Sequence, residues 1–320
     1  MQQVGLPITV SQFLTFTESG RRRVVLSATS IDGRVKLGFV ENKGQMVTDI
    51  EECPVMDSSL QAALANIRQF SQSLPLGKKP VRINVLMTSA GLDLSVIGAR
   101  KPHEKHLQSL IRKSGDLGFA RLSWEDEVLI EHRKPALRIG TASVVPPPGS
   151  FIQANLEAEH RMAELTLEHL ADCKVACDLY CGIGTFALRL AEKCKVSAFE
   201  ESQSAIEALD RGWRNTGGQL KEIKTEVRNL ERRPVLASEL KKTDGLVFDP
   251  PRAGAELQCK QIARSKVRKI VAVSCNPATL ARDLNILVEG GYSVKRLVAI
   301  DQFQYTPHVE CVALLERTTL

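Results

Sequence analysis

The sequence predicts an α/β protein in two parts: a doubly wound domain over residues 150–320, preceded by a smaller α+β domain over residues 1–149. Three observations predict it. The second half alternates β-branched runs with helix-length stretches, the rhythm of strand–helix–strand units on a largely parallel sheet. The first half reads as short strands separated by turn signals such as Asp32-Gly33, which suits antiparallel pairing. Between the halves, Pro146-Pro147-Pro148-Gly149 is the strongest linker signal in the chain.

The first part opens with strands in RRRVVLSAT and RVKLGFVE, followed by a helix near SSLQAALANIRQF. Strands VRINVLMT and LDLSVIGA come next, and the alternation continues through RIGTASVV. The second part starts with a helix around LEAEHRMAELTLEHL and strand VACDLYC. A helix from Thr185, strand KVSAFE, a helix through SAIEALDRGW and strand TEVRN then follow. Strand GLVFDP leads to a helix around LQCKQIAR and strand KIVAVSC, and the helix in ATLARDLNILVEGG ends on two glycines. The closing pair SVKRLVAI and HVECVALLE is hairpin-like and predicts an antiparallel strand at the edge of the sheet.

With 43% hydrophobic and 25% charged residues over 320 positions, the composition is that of a packed globular protein, which excludes disorder. The formal net charge of +6 is uneven: residues 1–150 carry 19 Lys and Arg against 14 Asp and Glu, and residues 151–320 carry 24 against 23. A polyanion can dock on such a first half, with a merely solvated basic face as the alternative. Pro7, Ser11 and Gln12 interrupt the apolar runs of the first twenty residues, and no basic n-region precedes them, so no signal peptide is expected. No apolar stretch reaches membrane-spanning length, and no membrane partner is expected. Eight cysteines without an export signal point to a reducing compartment, the cytoplasm. Cys173, Cys177 and Cys181 read as packing residues, because alternate positions of one strand do not converge on one ion. A monomer is the default oligomeric state.

Cys275 ends a β-branched run directly ahead of Asn276 and Pro277, an N-cap and first helical residue. Free N–H groups and the positive end of the helix dipole are expected to lower its thiol pKa and give a reactive thiolate. A buried cysteine filling the strand end is the plain alternative. In DLYCGIGTF an acidic strand residue precedes Gly182 and Gly184 at a turn, where missing side chains let a cofactor lie against the backbone. Glu200 ends the next strand, eighteen residues after Gly182, where a carboxylate can accept from both ribose hydroxyls. These features favour an adenosine-containing cofactor without separating NAD from S-adenosylmethionine. Asp249-Pro250-Pro251 adds a rigid, donor-poor corner that a dehydrogenase has no evident need for, and that favours a substrate-facing wall over a simple turn.

Glu310 opens an apolar strand, where an ionised carboxylate is costly without a partner or a task; a strand-end glutamate that still reaches water is the bland reading. Thiolate plus carboxylate suits one chemical problem. Carbon-5 of uracil is too poor a nucleophile to attack a sulfonium methyl unaided, and thiolate addition at carbon-6 makes it enolate-like. A base must then remove the carbon-5 proton so that the thiolate can leave.

FIQAN, DLYCGIGTF, DPPRAGA, SCNPATLARDL and HVE, in this order, resemble the RNA uracil carbon-5 methyltransferase family, particularly its 23S ribosomal RNA branch, over essentially all of residues 150–320. The resemblance implies a Rossmann-like class I methyltransferase domain with Cys275 as nucleophile and Glu310 as proton acceptor. It implies that Gln153, Tyr180, Glu200 and Asp249 contact S-adenosylmethionine beside Gly182. For Gln153 and Tyr180 the resemblance is the whole ground: their own surroundings in sequence suggest a residue leading into a helix and a packing aromatic. Arg252 reads as a phosphate or base contact, against a plain surface arginine.

GRRRVVLSA, LGFVE and DIEECPV resemble the same family more loosely. In many relatives the cysteine of such an ECP segment is the last of four iron–sulfur ligands. No cysteine precedes Cys53 here, so no cluster and no metal are expected. The small RNA-binding barrel that begins many relatives is missing as well, so the chain is either a compact branch or a sequence that starts late. Thr185 stands where relatives often carry Asn, and Gln304-Tyr305 replaces a more usual Pro-His.

The expectation is therefore an enzyme that flips a uridine out of folded RNA, ribosomal RNA by preference with transfer RNA as the alternative, the basic first domain gripping phosphates in a salt-sensitive way. Two other classes stay open at this point. An amino-group methyltransferase could use the Asp-Pro-Pro corner without any cysteine, and an RNA-binding protein could carry the cofactor site as a relic.

Overall fold

The structure, a computed structural model, describes residues 9–16, 20–41 and 46–318. Pro7 lies outside them. In chain order the elements are β1 (Gln12–Thr15), β2 (Arg23–Ile31), β3 (Arg34–Val40), β4 (Val47–Asp49), α1 (Ser58–Ser71), β5 (Val81–Thr88), β6 (Gly91–Ile97), α2 (Glu104–Asp116), β7 (Arg121–Trp124) and β8 (Glu127–Glu131). They continue with β9 (Leu137–Ile139), β10 (Ala142–Val144), α3 (Leu156–His169), β11 (Val175–Leu179), α4 (Ala187–Leu190), β12 (Lys195–Glu200), α5 (Gln203–Arg214) and β13 (Ile223–Val227). The last are β14 (Gly245–Phe248), α6 (Glu256–Arg264), β15 (Lys269–Ser274), α7 (Pro277–Glu289), β16 (Tyr292–Asp301) and β17 (Glu310–Arg317).

One compact unit holds the described residues from Gly20 to Leu137 together with Val145–Leu156. Its sheet runs β4-β3-β2-β5-β6-β7-β8. Asp32 and Gly33 take φ of 52° and 77°, which only a primed turn requires, and they close the β2–β3 hairpin at the Ile31–Arg34 pair. Every pairing is antiparallel except β6 with β7, because α2 carries the chain across before β7 begins. Asp57 caps α1 through Ser59 N at 2.9 Å, and the helix buries Leu60, Leu64, Ile67 and Phe70 in the core with Leu26, Ile83 and Leu94. Across the β6–β7 pair, Arg121 grips Asp93 with two bonds of 2.9 and 2.6 Å and donates a third, of 2.8 Å, to Pro146 O.

The other unit holds the described residues up to Phe16, Arg138–Val144 and those from Glu157 on. Its sheet runs β1-β16-β17-β15-β14-β11-β12-β13. Strand order reverses between β11 and β14, the switch point at which open α/β sheets leave a crevice. Helix α5 packs against β10 so closely that a side chain on Gly212 would start 2.7 Å from Val144 Cγ2.

Three expectations need correction. The polypeptide does not divide at a single point near residue 149. β1 pairs in parallel with β16 from Gln12–Val298 to Thr15–Asp301, and β10, paired with β9 in a small sheet of its own, packs on α5, so both short segments belong to the second unit. Residues 145–156 are held instead by Arg121 and by Arg22, whose Nε donates to Gln153 O at 3.3 Å. The antiparallel strand, β17, is not at the edge but lies between β15 and β16. The helix from Thr185 is a single turn, α4, because the chain turns at Lys193 and Cys194 to enter β12.

Candidate active site

Parallel strands β11, β12, β14 and β15 all finish on one edge of the sheet, where Tyr180, Glu200, Asp249 and Cys275 lie at their ends. Leu179 pairs with both Phe199 and Phe248, so Tyr180, Glu200 and Asp249 leave their strands at the same level. Asp249 N donates to Leu179 O at 3.3 Å, which ties the β14 exit to that of β11. β17 runs the other way, so its first residue reaches the edge where its neighbours place their last. Ser274 pairs with Cys311, and the residues next to them, Cys275 and Glu310, are near enough for the carboxyl charge to act on the thiol. The inserted antiparallel strand is thus what joins a thiol and a carboxyl distant in sequence.

The loop of Cys275 is fixed to the Asp-Pro-Pro-Arg loop. Asn276 caps α7, accepting from Ala278 N at 3.1 Å, while its Nδ2 donates to Arg252 O at 3.1 Å. Thr279 Oγ1 also donates to Arg252 O, Arg282 Nη2 donates to Ala253 O at 2.9 Å, and Ala255 N donates to Asp283 Oδ2 at 2.6 Å. Arg252 remains exposed, and its Nη2 donates to His308 Nε2 at 3.2 Å.

Electrostatics overturns one expectation. The helix start was expected to lower the Cys275 thiol, yet its pKa is raised. Burial contributes most, followed by the charges of Glu310 and Asp249, and Arg252 opposes them only in part. Glu310 is 2% exposed, and burial together with Asp249 pushes its carboxyl up to about 8. Gln302 Nε2 donates to Glu310 Oε2 at 2.8 Å and pulls the other way.

At the glycine turn, Tyr180 takes φ of 61°, Gly182 53° and Gly184 97°. No atom stands within 4 Å of the place where a Gly182 side chain would begin, which leaves the backbone open to a ligand. Glu200 spans the turn, accepting from Gly182 N at 3.1 Å and from Ser202 N at 2.9 Å. Gly184 is needed for packing: its Cβ would lie 2.0 Å from Leu209 Cδ1. Gly184→Ala is expected to lose about 2–4 kcal/mol, from left-handed strain plus overpacking, and Gly182→Ala about 1 kcal/mol. Denaturant unfolding of both variants checks this, and equal losses would contradict it.

Two features stand beyond the residues to which the sequence gives a role. Asp178, two residues before Tyr180, is fully buried; its Oδ2 accepts from Ala187 N at 2.8 Å, its Oδ1 has no hydrogen-bond partner among the described residues, and burial raises its pKa well above the ordinary range. Its signal was the acidic residue ahead of the glycines. A cleft of about 190 Å³ opens beside Tyr180 between Leu230, Glu231, the 253–258 segment and Arg282. No sequence signal pointed to it, because its walls come from stretches far apart in the chain, after β11, after β13, at the start of α6 and on α7.

Gln153 belongs to the other compact unit, where it is buried and precedes α3. Among the described residues no group of three or more His, Cys, Asp or Glu is placed to hold a metal ion. Among them, too, no helix is long and apolar enough to cross a membrane.

Residues 144–318 match the family model of the tRNA (uracil-5-)-methyltransferases. The chain is 46% identical over 318 residues to an uncharacterized RNA methyltransferase of Agrobacterium fabrum, covering 99% of this chain and 76% of that protein. It is 30% identical over 334 residues to the 23S rRNA (uracil(1939)-C(5))-methyltransferase of Halomonas elongata, covering 98% and 69%. Among solved structures, the tRNA (uracil-54, C5)-methyltransferase of Pyrococcus abyssi in complex with S-adenosyl-L-homocysteine is 25% identical. It superposes with a TM-score of 0.75 over 95% of this chain and 78% of that one.

Proposed function

We propose, of a chain that belongs to the tRNA (uracil-5-)-methyltransferase family, that it methylates carbon-5 of one uridine in ribosomal RNA through a covalent Cys275 adduct. Its cofactor is S-adenosylmethionine. The observation that carries the covalent reading is the antiparallel β17, which sets Glu310 against Cys275 at the crevice edge. The Halomonas elongata relative supports a ribosomal target, and the Pyrococcus abyssi relative keeps transfer RNA as the second reading.

The residues at the glycine turn fit the cofactor. Gly182 leaves the backbone accessible, and each Glu200 oxygen keeps a lone pair for a ribose hydroxyl. Asp178 Oδ1, without a hydrogen-bond partner among the described residues, would accept from the cofactor's amino group once that cation draws the carboxyl into its ionised form. Bound there, S-adenosylmethionine supplies an electrophilic methyl group.

Starting ionised, Cys275 Sγ bonds carbon-6 of the flipped uracil, and the carbon-5–carbon-6 π electrons shift onto carbon-5, conjugated with the carbon-4 carbonyl. Carbon-5 then accepts the methyl group. Glu310 removes the proton left on carbon-5; the freed pair restores the double bond and expels the thiolate. Cys275 ends ionised and Glu310 ends protonated, ready to lose its proton to water.

Purified protein incubated with methyl-labelled cofactor and unmodified ribosomal or transfer RNA, followed by nucleoside analysis, tests this. The expected product is 5-methyluridine in ribosomal RNA. Label on a base nitrogen, or RNA binding with no label transferred, would overturn the reading.

A further inference from the structure

The geometry points to Gln302 as a positioning residue for the second half of the reaction: it holds Glu310 with one oxygen occupied and the other presented to the carbon-5 proton. This rests on the reading of Cys275 and Glu310 given above.

Gln302 follows the last residue of β16, where Ile300 pairs with Glu310. Gln302 N donates to Ile300 O at 3.2 Å, so the chain turns sharply on leaving the strand. The side chain then meets the first residue of the partner strand, Nε2 to Oε2 at 2.8 Å. Both groups are buried, Gln302 at 6% and Glu310 at 2% exposure, so water does not compete for the contact. The carboxyl is thereby held by a bond that, among the described residues, engages one oxygen only.

The choice of an amide has chemical content. A cationic donor at this place would favour the ionised carboxyl so strongly that it would be a poor base, and an apolar side chain would leave a buried carboxylate unpartnered. A neutral N–H supports the ionised form without adding charge. The titratable groups facing Glu310 from other elements, Asp249 after β14 and Cys275 after β15, are both acidic, and Cys311 is its neighbour on β17. Of the influences resolved on the carboxyl, the Gln302 bond is the one that favours ionisation.

The test uses Gln302→Met, which removes the donor at similar length, and the isosteric Gln302→Glu, which keeps the shape and should fold where the first variant does not. Methyl transfer is followed by single-turnover release of S-adenosylhomocysteine, and proton removal by denaturing gels of the protein–RNA adduct on ordinary uridine RNA. Expected is a fall in turnover of about ten- to a hundredfold with methyl transfer and the RNA KM little changed, and with methylated adduct accumulating. The rising limb of the pH–rate profile should move to higher pH in both variants, so that the defect shrinks in alkali. Unshifted limbs and no adduct, or parallel loss of both steps, would overturn the inference. If the unaltered protein makes no 5-methyluridine, the underlying reading fails instead.

Discussion

Cys275→Ala is expected to lower uridine methylation by roughly 10⁴-fold or more, since no other described step makes carbon-5 nucleophilic once the thiolate is gone. Cys275 is only partly buried at a strand end, and the loop is held by Asn276, Thr279 and Arg282, whose bonds do not involve the sulfur. Stability should therefore change by less than about 1 kcal/mol, which separates loss of chemistry from loss of fold. RNA carrying 5-fluorouridine sharpens the result, because fluorine cannot leave as a proton does. The unaltered protein with cofactor should form a stable adduct whose mass maps to Cys275, and the alanine variant should form none. Retention of more than a tenth of the activity would favour an amino-group methyltransferase built on Asp249-Pro250-Pro251. The raised thiol pKa adds a second readout: the rate should climb with pH through the neutral range, where a helix-activated thiol would already have levelled off.

That pKa shows where sequence reading reached its limit. Asn276 as the cap and Pro277 as the first helical residue were legible, because capping is a property of four adjacent residues. The sign of the thiol shift was not, because Asp249 and Glu310 arrive from other strands and their charges outweigh the local helix end. The order of strands and helices after residue 156 was legible from periodicity, but periodicity does not say which strand lies beside which. The position of β17 inside the sheet was therefore out of reach, although it is what brings Glu310 to the crevice. β1 was missed for a related reason: four residues with Phe13 exposed carry no pattern, and only pairing with β16 makes them a strand. The proline run marked a true turn, yet the bond from Arg121 to Pro146 O, which no local signal encodes, sets which unit it joins.

Glu310→Gln should separate catalysis from stability in opposite directions. With the base gone, methyl transfer proceeds but the carbon-5 proton stays, so turnover should fall by about 10²- to 10⁴-fold while methylated protein–RNA adduct builds up on ordinary uridine. The same carboxyl weakens the fold at high pH. Its folded pKa of about 8 lies above the ordinary 4.5, so the folded chain keeps a proton that the unfolded chain releases across that window. Its contribution to stability is fully present below 4.5 and is lost as pH rises through about 8. The amide cannot ionise and still accepts from Gln302, so the variant escapes the loss. Near pH 5 the two proteins should unfold at similar temperatures; near pH 8.5 the variant should be more stable by a few kcal/mol, on the order of 3. Calorimetry at both pH values measures this directly. A difference that does not grow with pH would show that Glu310 reaches water, and an absence of adduct alongside it would remove this residue from the proton-transfer step.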